Sequence, residues 1–401
     1  MPMRVVVTVE HRFESTPDGA VWTETTNPYA FWTRYLDVFD EVIVVARIKH
    51  VPSVKPQAQR ADGDGVRFAP VPYYVGPLDY VKHAWQIVRA VRGAITDEDA
   101  VILRLPSQLG NALAPKLWGE GRPYGVEVVG NPNDVFAPSS FSHPLRAFFR
   151  YWFSRQLRRQ CARATAAAYV TAEILQREFP PSPEAFTAHY SSIELLPEAL
   201  SDQPRTLALA PPDIKLITVG TLDQLYKAPD IVIEAMAACI RQGLQLHLVL
   251  VGDGKHRSEL EEQARALGLA DRVEFRGRVA AGAEVRKLLD QADLFVLPSR
   301  ADGLPRAVIE AMARGLPCLG STVGGFPELL PAEDLVPPGD AQAFANKLCD
   351  VLTEPQRLGR MSARNLQKAR EYGQAILRER RGTWYKHVRD ETEAWLKAKG
   401  S

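Results

Sequence analysis

Asp302-Gly303-Leu304-Pro305-Arg306-Ala307-Val308-Ile309-Glu310 sets two carboxylates with seven residues between them across the join of a strand and a helix. The apolar run Leu294 to Leu297 reads as a buried strand, residues 298–303 as a loop, and Pro305 as the first helical position, where a missing N–H costs nothing. Gly315 then closes the helix. The backbone N–H groups from Gly303 to Arg306 point out of the helix start and form an anion site, worth about 0.3–2 kcal/mol for a nearby negative charge. A diphosphate fits such a place.

The elements around this segment repeat one pattern. Strand-like β-branched runs alternate with helix-length segments along the chain, which predicts an α/β fold of two parallel sheets covered by helices. In the first half the strands are expected near 4–9, 42–46, 66–69, 100–105, 126–129 and 166–170. In the second they are expected near 215–219, 246–251, 273–275, 294–297 and 317–320. Ser201 to Asp213, with Pro204, Pro211 and Pro212, interrupts the alternation and reads as a linker. The expected division is 1–204, with a last helix at about 380–401 added to it, and 205–379. Ligands of doubly wound sheets sit beyond the carboxyl ends of the strands, so the cleft between the halves is the expected site.

The segment from Asp302, continued as Ala313-Arg314-Gly315-Leu316-Pro317 and Val323-Gly324-Gly325-Phe326-Pro327-Glu328-Leu329, resembles the donor-site signature of family 4 glycosyltransferases. The likeness extends back through Lys215 to Gly220 with Tyr226-Lys227, Leu248 to Gly254, and Val273 to Gly277. The resemblance implies a GT-B architecture, two Rossmann-like domains with a last helix crossing back to the first. Trp384, Tyr385, Val388 and Trp395 give that helix something to bury. It also implies a retaining, metal-independent hexosyltransferase that uses a nucleoside-diphosphate sugar as co-substrate and no cofactor. The acceptor would be a hydroxyl or amine of a small molecule, saccharide or lipid-linked sugar.

Carried over by position, Glu310 would hold the donor's ribose. Asp302 would lie beside the transferred sugar, one methylene shorter than the family's usual Glu. Lys227, with Arg306, would hold the diphosphate, since Thr221 stands where the family has an Arg and offers one hydrogen bond in place of a bidentate contact. Asp302, Lys227 and Glu310 are thus the candidate catalytic group. Gly220, Thr221, Gly252, Arg276, Gly303, Leu304, Pro305 and Arg306 complete the donor side, with the base near 276–279. Gly252-Asp253-Gly254 lacks the third glycine of a dinucleotide fingerprint, Arg257 standing there, and reads as a tight turn.

On the acceptor side, Glu10 and Trp22 follow the first strand, where the family commonly has a glycine-rich loop. Arg104 is expected to face the cleft, with Ser107 capping the next helix. Asn131 and Asp134 are candidate sugar contacts, and no histidine stands between Val128 and Asp134 to take the family's catalytic-region role. Trp32 and Tyr35 share one helical face and read as core. The aromatic loop favours a compact acceptor over a long lipid. Residues 144–164 interleave Phe148, Phe149, Trp152 and Phe153 with six arginines, either a solvated helix face or a basic surface for an anionic membrane.

Other classes are narrower. A net charge of +1 from 49 basic and 48 acidic residues leaves no field for nucleic acid. No apolar run spans a bilayer or reads as a signal peptide, so the expectation is a cytoplasmic protein. Cys161, Cys239, Cys318 and Cys349 have no paired spacing and read as reduced structural thiols. Asp62-Gly63-Asp64 reads as a turn, and no cluster has metal-ligand spacing. Two alternatives stay open: a GT-B relative with other chemistry, such as an epimerase or a pseudo-glycosyltransferase, and a sugar-nucleotide binder without activity.

Overall fold

The structure is a computed structural model that describes residues 2–24, 26–136, 143–205 and 213–400. Most of the expected linker, residues 206–212, lies outside them. The first sheet contains β1 (Arg4–Ser15), β2 (Val21–Thr23), β3 (Glu41–His50), β4 (Gln59–Arg60), β5 (Val66–Val71), β6 (Ala100–Leu105), β7 (Gly125–Val128), β8 (Ala166–Tyr169) and β9 (Phe186–His189). Its parallel body runs β5-β3-β1-β6-β7-β8-β9; β2 attaches antiparallel to the end of β1, and β4 attaches antiparallel to β2. The second sheet runs β12 (Val273–Gly277), β11 (Leu246–Val251), β10 (Ile214–Val219), β13 (Leu294–Leu297), β14 (Cys318–Ser321), β15 (Leu335–Val336), and every pairing is parallel. In each sheet the order reverses beside the first strand, at β1/β6 and at β10/β13, which is where a crevice opens.

The first strand does not stop at Val9. A register shift between Thr8 and Arg12 lets β1 run on to Ser15 beside β3, so residues 10–13, expected to follow the strand, belong to it. Three residues of β1 stand here opposite one of β3, an irregularity that breaks the alternation sequence reading relies on. The helix Gln374–Lys399 crosses back to the first domain, with Trp384, Tyr385 and Val388 buried. Gly125 leaves room for it: a Cβ there would stand 2.6 Å from the Trp384 ring. Trp32 and Tyr35 are fully buried, and Tyr35 stacks on Tyr385 at 4.6 Å between ring centres.

Under that helix lies a buried polar knot. Glu127, on β7, accepts hydrogen bonds from the hydroxyls of Tyr35 (2.8 Å), Tyr190 (2.8 Å) and Tyr385 (3.1 Å) and an ion pair from Arg104. Burial pushes the Glu127 carboxyl up, but Arg104 and the Tyr190 and Tyr35 hydroxyls outweigh it and leave it below the usual range. Arg104 therefore does not face the cleft, as its position at a strand end had suggested. It is buried among Glu127, Tyr35 and the Phe31 ring, the partners that make burial of a guanidinium tolerable.

The second domain closes its own core between helices Pro229–Arg241 and Ala341–Leu352 and the strands beneath them. The thiols of Cys239 and Cys349 meet there at 3.0 Å, a pairing that sequence spacing had not suggested. No helix among the described residues is long and apolar enough to cross a membrane.

Candidate active site

Lys227 and Asp302 are 75 residues apart in sequence, yet Lys227 Nζ stands 2.5 Å from Asp302 Oδ2, with both side chains mostly buried. Two local devices bring them together. After β10, a single turn at Leu225–Lys227 ends on Ala228 in the left-handed region (φ 54°) and leads into Pro229–Arg241. Arg300 clamps that turn: its guanidinium holds both oxygens of Asp230 (2.8 and 2.5 Å) and the Leu225 carbonyl (2.8 Å), and its backbone N–H donates to the Tyr226 carbonyl. After β13, the second loop passes Asp302 and enters Arg306–Ala313 with Pro305 as N-cap, so Pro305 lies one position before the helix it was expected to open.

That helix start has no side-chain cap and no acid in its first turn, so its N–H groups and exposed Arg306 present positive potential. Gly324 (φ 49°) lets the next loop lie against it, since a Cβ there would fall 1.6 Å from the Asp302 carbonyl oxygen. Gly325 N–H donates to the Gly303 carbonyl at 2.6 Å. Gly220 carries the Lys227 stem alongside it, Gly252 packs on the Gly220 carbonyl, and Thr221 is taken up by Asp223 at 3.2 Å. Leu304 is buried.

Glu310 lies further along the same helix, half-buried. Burial raises its pKa above the ordinary carboxylate value, and Arg306 and Arg286 oppose that rise. Arg276 turns elsewhere. It pairs with Glu274 at 2.7 Å and lines a hollow with Lys215 and His247, at the starts of their strands, so the structure does not bring it to the donor loops. Arg286, beside Glu310, is the cation that sequence reading passed over, because nothing in its local sequence marks it.

The first domain faces these loops. A Cβ on Gly303 would approach the Val129 carbonyl to 2.8 Å, which places the end of β7 directly against the donor side. Asp134 follows, in the short helix Pro132–Val135, with Oδ2 buried and without a hydrogen-bond partner among the described residues. Burial, then Glu178 and Asp302, push its pKa up to about 6. Asn131 is occupied: its side chain caps that helix at the Asn133 N–H (2.9 Å) and donates to Glu178 at 2.6 Å. Glu10 is occupied as well. Its carboxylate accepts from Ser107 Oγ, the Gln108 N–H and Tyr74, and pairs with Arg47 at 3.1 Å, which makes it a cap for helix Gln108–Gly119. Ser107 caps the same helix, as its type suggested. Trp22 donates its indole N–H to Thr16 at 3.0 Å within the β2 extension. The Asp62–Asp64 segment is a turn, with Asp62 accepting from the Val21 N–H.

Two glutamates are among the residues that bridge the halves. Glu24 pairs with Arg278 at 3.9 Å, and Glu328 accepts from the backbone N–H groups of Ala172 (2.5 Å), Glu173 (3.0 Å) and Ile174 (2.8 Å), capping helix Ile174–Glu178 from the other domain. Glu328 stands in the motif read from sequence, but its part in joining the domains was not legible there.

Residues 213–354 match the family model of the glycosyl transferases group 1. This part of the chain, about a third of it, is similar to the group 1 glycosyl transferases. The chain is 27% identical over 316 residues to Protein CapJ of Staphylococcus aureus, covering 78% of this chain and 77% of that protein. In fold it is similar to the sucrose-phosphate synthase of Thermosynechococcus elongatus (TM-score 0.68, 18% identity, 96% and 99% of the two chains). It is also similar to HepE of Anabaena, solved with UDP and glucose (TM-score 0.59, 18% identity, 99% and 100%). The architecture is therefore GT-B. All the donor-side loops described above lie within the matched residues. Asp134 and Glu328's partners lie on the facing domain.

Asp134 yields a pH test. Its carboxyl binds a proton more tightly folded than unfolded, so its stabilising contribution is present below about pH 4 and is lost as pH rises through about 6. Asp134→Asn should therefore melt higher than the parent at pH 8, and the difference should vanish toward pH 4. A gain of about 1 kcal/mol raises the melting temperature by about 2–4 °C in a domain of this size. Melting curves across that range decide it, and a gap independent of pH would contradict the assignment.

Proposed function

We propose that this protein is a retaining, family 4 glycosyltransferase that moves a hexose from a nucleoside-diphosphate sugar to a hydroxyl or amine acceptor in the interdomain cleft. The observation that carries the reading is the convergence of Lys227 and Asp302 at an uncapped helix start, with Arg306 beside it and Glu310 further in. In this reading the diphosphate takes the helix N–H groups, Lys227 and Arg306. Lys227 leaves Asp302 to do so, and the freed carboxylate accepts from sugar hydroxyls. Glu310 accepts from the ribose diol, with Arg306 and then Arg286 opposing the rise in its pKa that burial causes.

As the bond to the anomeric carbon breaks, negative charge grows on the departing diphosphate. Preorganised cations and N–H groups stabilise that charge where it forms. Asp134, across the cleft and sensitive to the Asp302 charge, is the acceptor-side group placed to take a proton from the attacking hydroxyl near neutral pH. The positive charge comes from the chain's own side chains, so the reading expects turnover to persist in the presence of chelator.

A thermal-shift panel of UDP, GDP, ADP and TDP tests donor binding. At a hundredfold excess over its dissociation constant the right nucleotide stabilises by about 2.7 kcal/mol, and the others do not. Incubation with the matching sugar nucleotide and NMR of the product then reads the anomeric configuration. An inverted product, or an epimerised donor without glycoside, would overturn the proposal.

A further inference from the structure

We propose that the cleft-side rim of the first domain, built from the opening turns of helices Gly76–Gly93 and Arg146–Cys161, seats the protein on an anionic lipid bilayer. The topology places both openings on one edge of the sheet, with the start of helix Gln108–Gly119 between them. The helices follow β5 and β7, strands that run parallel in one sheet, so both begin at its carboxyl edge, the edge that faces the cleft. Their later turns share one core with helix Gln108–Gly119, through Ile87, Val91, Leu113 and Leu157.

The opening turns do the reverse. Leu78, Val81 and Trp85 on one helix, and Phe148, Tyr151 and Trp152 on the other, stand in solvent, with Leu78 82% and Trp85 70% exposed. Twelve large apolar side chains among the described residues are exposed, by 37% to 82%, and all but Leu267 and Ile376 fall between residues 75 and 152. The apolar surface is therefore gathered, not scattered, and a gathered patch calls for an occupant.

Charge selects the occupant. From residue 135 to residue 172 there is no acid, while arginines stand at 146, 150, 155, 158, 159 and 163. Arg150 and Arg155 are exposed among the aromatics, and exposed Lys82 and Arg89 flank Trp85. One acid, Asp79, shares the first helix, where it accepts from the Val75 N–H and lies near His83. Indoles and phenol rings interleaved with unneutralised cations suit the headgroup layer of an anionic membrane, where the rings enter the interface and the cations meet phosphate. A protein partner would have to bring a matching row of carboxylates to apolar contacts.

Docking in this sense stands apart from the proposed transfer reaction. The acceptor class it implies, a sugar on a lipid carrier held at the membrane surface, rests on that reaction and replaces the compact acceptor that the sequence favoured.

The test is co-sedimentation of the full chain with vesicles of phosphatidylcholine alone, and of phosphatidylcholine with about one third phosphatidylglycerol. Binding should be at least about fivefold greater on the anionic vesicles and should fall as salt is raised. The paired substitution Trp85→Glu with Phe148→Glu should lower it severalfold, with melting temperature and the nucleotide-induced shift unchanged. Equal binding to both vesicles, or binding indifferent to the substitutions, would overturn docking. So would a dimer of the parent chain in sedimentation equilibrium that these substitutions disperse, because a second copy would then be the occupant. Loss of the nucleotide shift in the parent would instead count against the transfer reading and leave docking standing.

Discussion

Lys227→Ala should lower turnover about a hundred- to a thousandfold, the loss of about 2.7–4 kcal/mol that follows removal of one preorganised group stabilising a developing anion. The fold should survive. The pair it breaks is mostly but not wholly buried, and Asp302 keeps Ser299 within 3.5 Å. Arg300 goes on holding the turn at Leu225–Lys227 through Asp230 and two backbone contacts. If the cation acts only as the diphosphate leaves, kcat falls and the donor's KM changes little; if it binds ground and transition states alike, KM rises instead. Steady-state kinetics with the matching sugar nucleotide, beside melting curves of both proteins, separates these outcomes. A variant that turns over at the parental rate would remove Lys227 from the reaction altogether.

Glu127→Ala should be the most destabilising single change of those considered, by about 3–5 kcal/mol, because it leaves the Arg104 guanidinium buried without its counter-charge. It also strips the hydroxyls of Tyr35, Tyr190 and Tyr385 of their common acceptor. Since Tyr385 belongs to the crossing helix, the damage should reach the docking of Gln374–Lys399 and not only the sheet. Urea unfolding measures it directly. A midpoint displaced by less than about 1 kcal/mol would mean that water or rearranged side chains satisfy Arg104 without difficulty.

These residues mark what could be read from the sequence. Buried strands such as Leu294–Leu297 and Leu246–Val251 announce themselves as β-branched and leucine runs of the right length, and the structure has them at those bounds. The strands that escaped reading, β2, β4, β9 and β15, are two to four residues long and owe their form to a neighbour, not to their own pattern. The donor-side loops were legible because their residues are contiguous and follow strands. Arg104 and Glu10 were misread for a common reason. A charged residue at a strand end looks like a cleft residue until its partners appear, and those partners come from distant segments: Glu127 and Tyr35 for one, Ser107, Tyr74 and Arg47 for the other. Sequence gives the charge of a side chain but not where its counter-charge will be folded.

Glu328 reaches from one domain to cap a helix belonging to the other. Such a cap is exchangeable: when the domains part, water replaces the three amide donors on the carboxylate and the carboxylate on the amides, and neither side is stranded. Substrate entry and product departure can thus alternate with closure at small energetic cost, while the directionality of hydrogen bonding brings the two halves back into one alignment each time they meet.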